Sequence, residues 1–281
     1  MLEVASGKLH QLATQAAVGQ LGDAFDGAQA NQCVKSANPA LRLACWLGHN
    51  GLVCFGVAHQ HLSAAGPLAT PSIKKTDNLM KLYYSPGACS LSPHIVLHEA
   101  GMQFEAIAAP TKTHLLPDGT DYYSINPLGY VPLLELDDGT RLTEGPAIVQ
   151  YIADQVPEKN LAPANGTVAR AQMQGWLNFI GTELHKGFAP LFSPATPADY
   201  KPIVIEKLLG RFKWVDAHLA GKNYLLGEAF SVADPYLFNV SNWAPLVKVD
   251  LSGFANLATF RAHMRERPAV KAAMKAEGLI K

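Results

Sequence analysis

The sequence predicts a small α/β domain followed by an all-helical domain. Over residues 80–160, short apolar runs alternate between strand-like and helix-like patterns. Beyond residue 166 we find only helical periodicity. A stretch rich in Pro, Asn and Ala at 156–166 separates the two parts and is typical of a linker. We therefore expect an α/β domain at 80–160 and a helical domain at 167–281.

Each element of the two domains has its own sequence signal. Pro93 and Gly101 bracket a first helix, and Pro146 opens a second. Asp138-Gly139 is a hairpin signal between two apolar runs. The predicted strands are Lys81–Tyr84, Phe104–Ala109, Leu133–Leu136 and Arg141–Thr143. The predicted helices of the second domain include Arg170–Lys186, Ile203–Leu219, Val232–Ala244 and Leu257–Arg265.

Residues 1–79 form an N-terminal extension in which we find no chemistry. The extension is rich in Ala, Gly, Gln and Ser, and a helix-like opening fades into Gly, His and Pro. Its apolar stretch at 40–58 contains Arg42 and His49, so we expect no membrane segment there. His59 and His61 lack a third ligand, and no metal site is predicted.

Composition excludes several functions. Lys+Arg and Asp+Glu are both 23, so the formal net charge is zero and nothing points to nucleic acid. Hydrophobic residues make up 48% of the chain, which suits a compact protein with a sizeable core. The four cysteines are too sparse for a disulfide framework and lack the spacing of a zinc site. A reducing compartment fits best, and we expect a cytoplasmic protein.

The most informative residue is Cys89. It follows a predicted strand and a Ser-Pro-Gly-Ala turn, and it precedes a helix start at Ser92-Pro93. Unpaired N–H groups and the positive end of the helix dipole favour a thiolate at such a position. The sequence therefore predicts a lowered pKa for the Cys89 thiol. A buried structural cysteine is the alternative.

Two further segments carry backbone features suited to ligand binding. If the Val131-Pro132 bond is cis, Val131 turns its N–H and C=O towards an extended peptide-like ligand; the sequence leaves the isomer open. Glu144 and Gly145 precede the helix opened by Pro146, where a carboxylate receives an ammonium and free N–H groups receive a carboxylate. Simple helix capping is the alternative for Glu144.

A polar stripe marks the first helix of the second domain. Asn178, Thr182 and His185 are spaced four and three residues apart and share one face, with Lys186 beside it. A polar stripe on a long helix is most often a solvated side, but this stripe interrupts an apolar segment, so a cleft-lining role is the alternative. Further on, Ser231-Val-Ala-Asp234 has the spacing of a capping box, and we assign it to folding.

Together these segments resemble glutathione S-transferases, most closely the bacterial beta class. The resemblance covers residues 80–281. It rests on five pieces in the family's order: Tyr-Ser-Pro-Gly-Ala-Cys89-Ser-Leu-Ser-Pro-His, Asn126-Pro-Leu-Gly-Tyr-Val131-Pro132, Leu142-Thr-Glu144-Gly145-Pro-Ala-Ile, Glu183-Leu-His185-Lys186-Gly-Phe and Phe230-Ser231-Val-Ala-Asp234. It implies a thioredoxin-like N-terminal domain, a helical C-terminal domain and a homodimer.

The resemblance also implies a role for each site residue. Cys89 meets the glutathione sulfur and can hold it as a mixed disulfide, and Val131 pairs with the cysteinyl backbone beside a cis Pro132. Glu144 and Gly145 take the γ-glutamyl end. The site is completed by Asn178, Thr182, Glu183, Leu184 and His185, with His185 and Lys186 near the sulfur and Trp243 beside the hydrophobic substrate pocket.

Two departures from the family pattern stand out. His114 occupies a position where the family often has a lysine that contacts the glycine carboxylate, and a histidine holds that carboxylate less firmly at neutral pH. The family also begins near Met80, so residues 1–79 are either an appendage or not native, and we favour a true start at Met80.

The expected activity is glutathione transfer. His185, Lys186 and the helix start at Cys89 are expected to stabilise the glutathione thiolate, which attacks hydrophobic electrophiles without a metal. Cys89 itself is not expected to attack, although thiol–disulfide exchange through it is a second activity. The alternatives are a glutathione-dependent reductase or dehalogenase and a non-catalytic binder of hydrophobic ligands. Partners are glutathione and small electrophiles, with no nucleic acid and no membrane.

Overall fold

The structure is a computed structural model that describes residues 41–48, 51–58 and 79–281. The chain divides into two units, 1–72 and 73–281, which are treated separately. In the first, β1 (Leu41–Gly48) and β2 (Gly51–Ala58) pair as an antiparallel hairpin. The helix-like opening and the pair His59 and His61 lie outside the described residues.

The second unit begins with a four-stranded mixed sheet in the order β4-β3-β5-β6. Strand β3 pairs parallel to β4 and antiparallel to β5, and β5 pairs antiparallel to β6. A helix connects β3 to β4, as a parallel pair requires. The elements are β3 (Met80–Tyr84), α1 (Leu91–Ala100), β4 (Phe104–Ala108), β5 (Leu133–Glu135), β6 (Arg141–Thr143) and α2 (Gly145–Gln155). This is the thioredoxin-like arrangement that the resemblance predicts.

The rest of the second unit is helical, as predicted. Its elements are α3 (Val168–Phe179), a π-helical turn (Ile180–His185), α4 (Lys186–Phe192), α5 (Tyr200–His218), α6 (Ala233–Ser241), α7 (Ala255–Glu266) and α8 (Pro268–Ala276). Two features differ from the sequence expectation. The predicted helix Arg170–Lys186 changes to π geometry at Ile180, and Pro268 starts an additional helix after α7, since proline suits the first helical turn.

One hydrophobic core joins the sheet to the helices. Leu82 of β3, Ile95 of α1, Ile152 of α2 and Phe238 of α6 are all fully buried in the same cluster. The predicted linker also packs onto this body, because Leu161 is buried and its C=O accepts from Val232 N–H at 2.9 Å. The α/β and helical parts therefore meet along a continuous apolar surface, and a cleft between them has rigid walls.

The described residues contain neither a membrane-spanning helix nor a group of side chains suited to a metal ion. No helix in 79–281 is long and apolar enough to cross a membrane. Within the described parts of the chain, no three His, Cys, Asp or Glu side chains come together as a metal site. In the apolar stretch at 40–58, the backbone forms the two strands of the hairpin.

Candidate active site

Cys89 lies in the turn between β3 and α1, directly ahead of the helix. Its Sγ–H donates to the C=O of Val131 at 3.1 Å. Desolvation raises the pKa of the Cys89 thiol to about 11 and outweighs the N–H groups of Cys89 and Ser90, which act in the opposite direction. The predicted lowering of this pKa is therefore wrong: the helix start is present, but burial dominates.

Three side chains from the C-terminal third hold the turn before Cys89. Gly87 N–H donates to Glu277 Oε2 at 2.8 Å, and Gly87 C=O accepts from Trp243 Nε1 at 2.8 Å. Asn239 Nδ2 donates to Ala88 C=O at 2.7 Å. The other oxygen of Glu277 lies 2.8 Å from Nδ1 of a buried histidine, His94. The position of the thiol is thus fixed by helices more than 150 residues away in the sequence.

The Val131-Pro132 segment forms the wall next to Cys89. The bond between the two residues is cis. The preceding carbonyl, of Tyr130, accepts from Tyr122 Oη at 2.9 Å and from Asn126 Nδ2 at 2.7 Å. These two bonds fix the backbone beside Val131, whose own C=O is paired with the Cys89 thiol.

Glu144 stands at the start of α2 on an exposed part of the same wall. It has a positive φ of 65°, which is uncommon for a non-glycine residue. Gly145 is the first residue of α2, and Pro146 follows it in the first turn. A carboxylate and a helix N-terminus thus lie together. The sequence predicts this pair as the site for a ligand group that carries both an ammonium and a carboxylate.

The helical wall is built by the π turn. A π turn shifts the face that a helix presents, and such turns recur at functional sites. Asn178 and Thr182 are exposed along this wall, and Thr182 Oγ1 donates to Asn178 C=O at 3.0 Å. His185 ends the turn, with Nδ1 2.7 Å from the hydroxyl oxygen of Tyr236. Burial, reinforced by the Lys186 charge, lowers the pKa of His185 to about 4. A neutral imidazole is the result.

These walls enclose one cavity of about 820 Å³. Two of its sides are named here. The thiol side consists of Cys89, His185 and Tyr236, and the acidic side of Thr143, Glu144 and Gly145. Of the predicted site residues, the lining includes Cys89, Val131, Pro132, Glu144, Gly145, Asn178, Thr182, His185 and Lys186. It also includes residues that the sequence analysis missed, among them Thr111, Gln150, Gln174 and Tyr236.

Comparison with known proteins decides the family. The N-terminal domain model of glutathione S-transferases matches residues 87–155, and the C-terminal domain model matches residues 179–268. A glutathione S-transferase of Escherichia coli O157:H7, GstA, is 48% identical over 200 residues that cover 71% of this chain and all of the relative. The chain belongs to the glutathione S-transferase family.

Similarity to solved structures identifies the class of transferase. The bacterial transferase BphK, in a ternary complex, is 54% identical with a TM-score of 0.69, covering 70% of this chain and 99% of its own. A beta-class transferase of Sphingomonas chungbukensis is 44% identical with a TM-score of 0.69, covering 71% of this chain and all of its own. A sphingomonad transferase complexed with glutathione is 45% identical, with a TM-score of 0.68 and coverage of 71% and 100%. The chain is an enzyme of the bacterial beta class.

Four residues that the family resemblance assigns to the site of this transferase lie outside the cavity lining. Leu184 is fully buried in the core. Glu183 faces α5, where its Oε2 accepts from Arg211 Nε at 2.7 Å. Trp243 is 7% exposed and donates its indole N–H to the C=O of Gly87 in the turn before Cys89. Its place beside a hydrophobic substrate stays a prediction. His114 packs its ring 4.4 Å from that of Tyr123.

Proposed function

We propose that this enzyme binds glutathione in the cavity and conjugates the glutathione thiolate to hydrophobic electrophiles. One observation carries the proposal. Cys89, the cis Val131-Pro132 segment, Glu144 and His185 come from four separate stretches of the chain and line one cavity. The comparisons support it, because the sphingomonad relative was solved with glutathione bound.

The two sides of the cavity suit the two ends of the tripeptide. Glu144 and the N-terminus of α2 match a zwitterionic amino-acid group, since the carboxylate receives the ammonium and the N–H groups receive the α-carboxylate. The cysteinyl backbone then pairs with Val131, which brings the glutathione sulfur to the thiol side. Exposed Lys186 adds a positive charge there.

The chemical task is to hold the glutathione sulfur as an anion at neutral pH. A free thiol with a pKa near 8.5 is only about 3% thiolate at pH 7. Lowering that pKa to about 6.5 gains roughly 2.7 kcal/mol, at 1.36 kcal/mol per unit. The N–H groups at the start of α1, the Lys186 charge and the ring of His185 are the groups available. Since the pKa of His185 is about 4, its contribution is that of a neutral hydrogen-bonding ring.

Cys89 has a different role in this proposal. Its thiol is protonated at neutral pH and donates to Val131, so we assign the attack to the glutathione sulfur. A slower thiol–disulfide exchange between Cys89 and oxidised glutathione is the second activity. The residue three positions on is Ser92, a buried serine, so an internal disulfide with that position cannot form and an external thiol must resolve the intermediate.

Retention on immobilised glutathione, followed by the mass of the eluted intact protein, tests binding and adduct formation together. Conjugation and disulfide-reduction assays on the same sample separate a transferase from a reductase or dehalogenase. Binding without turnover would identify a carrier of hydrophobic ligands. Cys89→Ala is expected to abolish the glutathione released on reduction, and release that persists from the variant rules out the mixed disulfide.

His185→Ala tests the assignment of the thiolate. Loss of the ring is expected to raise the pH at which conjugation is half-activated. An unchanged pH profile would mean that His185 does not stabilise the thiolate. It would not bear on the proposal that the cavity binds glutathione.

We also propose that the enzyme works as a cytoplasmic homodimer. Two neighbouring large apolar side chains at the cavity wall, Leu128 and Tyr130, are 66% and 64% exposed, and a second copy would cover them. Sedimentation of the full chain tests the assembly.

A further inference from the structure

Tyr236 is a buried residue of α6 whose hydroxyl reaches the thiol side of the cavity. Its side chain lines the cavity although the residue is only 5% exposed. The hydroxyl oxygen lies 2.7 Å from Nδ1 of His185, and the two rings are nearly perpendicular, at 84°. Among residues 79–281 the hydroxyl has no other hydrogen-bond partner. The ring of Trp243 packs against His185 at 4.8 Å, so the pair is held at the corner where the sulfur of a bound glutathione is proposed to lie.

Burial, reinforced by the charges around this corner, keeps both partners neutral. Burial and the Lys186 charge hold the pKa of His185 at about 4. Burial, with the fields of Cys89 and Glu144, raises the pKa of Tyr236. The titratable groups that act on the pair are Lys186 of α4, Cys89 in the turn before α1 and Glu144 directly before α2. At neutral pH a protonated phenol thus meets an imidazole that carries a single hydrogen.

The position of that hydrogen follows from the hydrogen bond. A neutral imidazole has one donor and one acceptor nitrogen, and the partner of Nδ1 selects the tautomer. If Nδ1 carried the hydrogen, the buried phenol would accept it and its own O–H would have no acceptor among the described residues. A buried donor left without an acceptor destabilises the folded protein. Donation from Tyr236 to Nδ1 is therefore the favoured direction, and it leaves the hydrogen on Nε2.

We propose that Tyr236 is a positioning residue: its hydroxyl donates to His185 Nδ1 and holds the imidazole in the Nε2–H tautomer, so that Nε2 becomes the hydrogen-bond donor to the glutathione thiolate. The proposal rests on the proposed transferase function. His185 Nε2 has no partner in the described part of the chain, which leaves its hydrogen free for a ligand. On ionisation the glutathione S–H bond breaks, the proton leaves to solvent, and the electron pair stays on sulfur, where it accepts from Nε2–H.

The tautomer is measured directly on the unsubstituted protein. The nitrogen-15 shifts of His185 are expected to show an acceptor at Nδ1 and a protonated Nε2 throughout the neutral range. A hydrogen on Nδ1 overturns the proposal, and this measurement requires no variant to fold.

Tyr236→Phe removes the donor and keeps the ring. With glutathione bound, the ultraviolet titration of its thiolate is expected to shift upward by about one pH unit, a tenfold loss of thiolate below the midpoint. Below the midpoint, where glutathione binds as the thiol, its affinity is expected to stay near that of the parent. The nitrogen-15 signals of His185 are expected to move towards a mixture of tautomers.

Tyr224→Phe is the matched control. Tyr224 is also a buried tyrosine of the helical part, its hydroxyl lies 2.9 Å from His263 Nε2, and it lies outside the cavity lining. This variant is expected to leave the bound-thiol titration unchanged. An equal upward shift in both variants indicates a general structural effect and overturns the proposal.

The outcomes separate the two proposals. A parent protein that binds no glutathione, or binds it without lowering its thiol pKa, contradicts the proposed function. A parent that lowers the thiol pKa, together with a Tyr236→Phe protein that lowers it equally, contradicts only the role of Tyr236.

Discussion

The two sides of the cavity differ in exposure and in how their side chains are held. On the acidic side, Glu144 is exposed and is positioned by its own backbone, at a positive φ next to the start of α2. On the thiol side, Cys89 donates to the backbone C=O of Val131 and His185 pairs with Tyr236 of α6, and desolvation shifts the pKa of each towards its neutral form. The comparison teaches that the carboxylate of Glu144 keeps its charge where water reaches it, while burial keeps Cys89 and His185 neutral.

The largest expected effect comes from removing a buried carboxylate that anchors α6, the helix that carries Tyr236 of the thiol side. The fully buried Asp234 carboxylate accepts from Leu225 N–H at 2.8 Å and from Ser231 N–H at 2.7 Å. Asp234→Ala leaves these donors buried without a partner, and we expect the free energy of unfolding to fall by roughly 3–5 kcal/mol. Urea denaturation measures the loss.

Asp250→Ala is the control for that substitution. Asp250 also accepts a backbone N–H, from Ser252 at 2.8 Å, but it is exposed. No measurable change in stability is expected. A loss as large as that of Asp234→Ala would show that burial is not what makes the cap of α6 important.

The second prediction concerns the protonation of Cys89. Desolvation raises its pKa from the ordinary 9.0 to about 11, so the thiolate fraction at neutral pH is roughly 100-fold lower than that of an unperturbed cysteine. Alkylation of Cys89, followed by peptide mass mapping, is expected to be about 100-fold slower than that of a free cysteine. Its rate should rise tenfold per pH unit until about pH 11. Rapid alkylation at neutral pH would restore the original expectation of a thiolate at the helix start.

On the acidic side the expected effect is on affinity, not on ionisation. Glu144→Gln removes a charge that pairs with the glutathione ammonium, and charge-assisted hydrogen bonds contribute about 1.5–3 kcal/mol. Calorimetry is expected to show glutathione binding weakened by roughly 10- to 100-fold, with the bound thiol titrating as in the parent.

Glu206→Gln, an exposed carboxylate of α5 outside the cavity lining, is the control and is expected to bind glutathione like the parent. If Glu144→Gln instead shifts the thiol titration and leaves affinity unchanged, the assignment of the two sides is reversed.

The two sides also differ in how far the sequence revealed them. The acidic side was predictable because its features are local: Glu144, Gly145 and Pro146 are adjacent, and a helix start is visible in the order of residues. The same holds for the strand, turn and helix around Cys89. The sheet and most helices followed from apolar spacing, whereas α8 did not, since Pro268 starts a helix only two residues after α7 ends.

The electrostatics of the thiol side was not predictable from local patterns. Tyr236 meets His185 across 51 positions, and Trp243 reaches Gly87 across 156. No spacing rule connects residues so far apart. The sign of the pKa shift at Cys89 depends on how much water the packed helices exclude, which the sequence around the cysteine does not record.

The smallest expected effect tests the departure at His114. The beta-class pattern often has lysine there, but in this structure His114 lies outside the cavity lining and rests on Tyr123 beside Gly129. A lysine at this position would act as an exposed charge, and exposed ion pairs contribute about 0.2–1 kcal/mol. His114→Lys is therefore expected to tighten glutathione binding by less than about fivefold, measured by calorimetry at low salt. A much larger gain would mean that this loop lies directly against the ligand and that a third region, at the glycine carboxylate, holds glutathione besides the acidic and thiol sides.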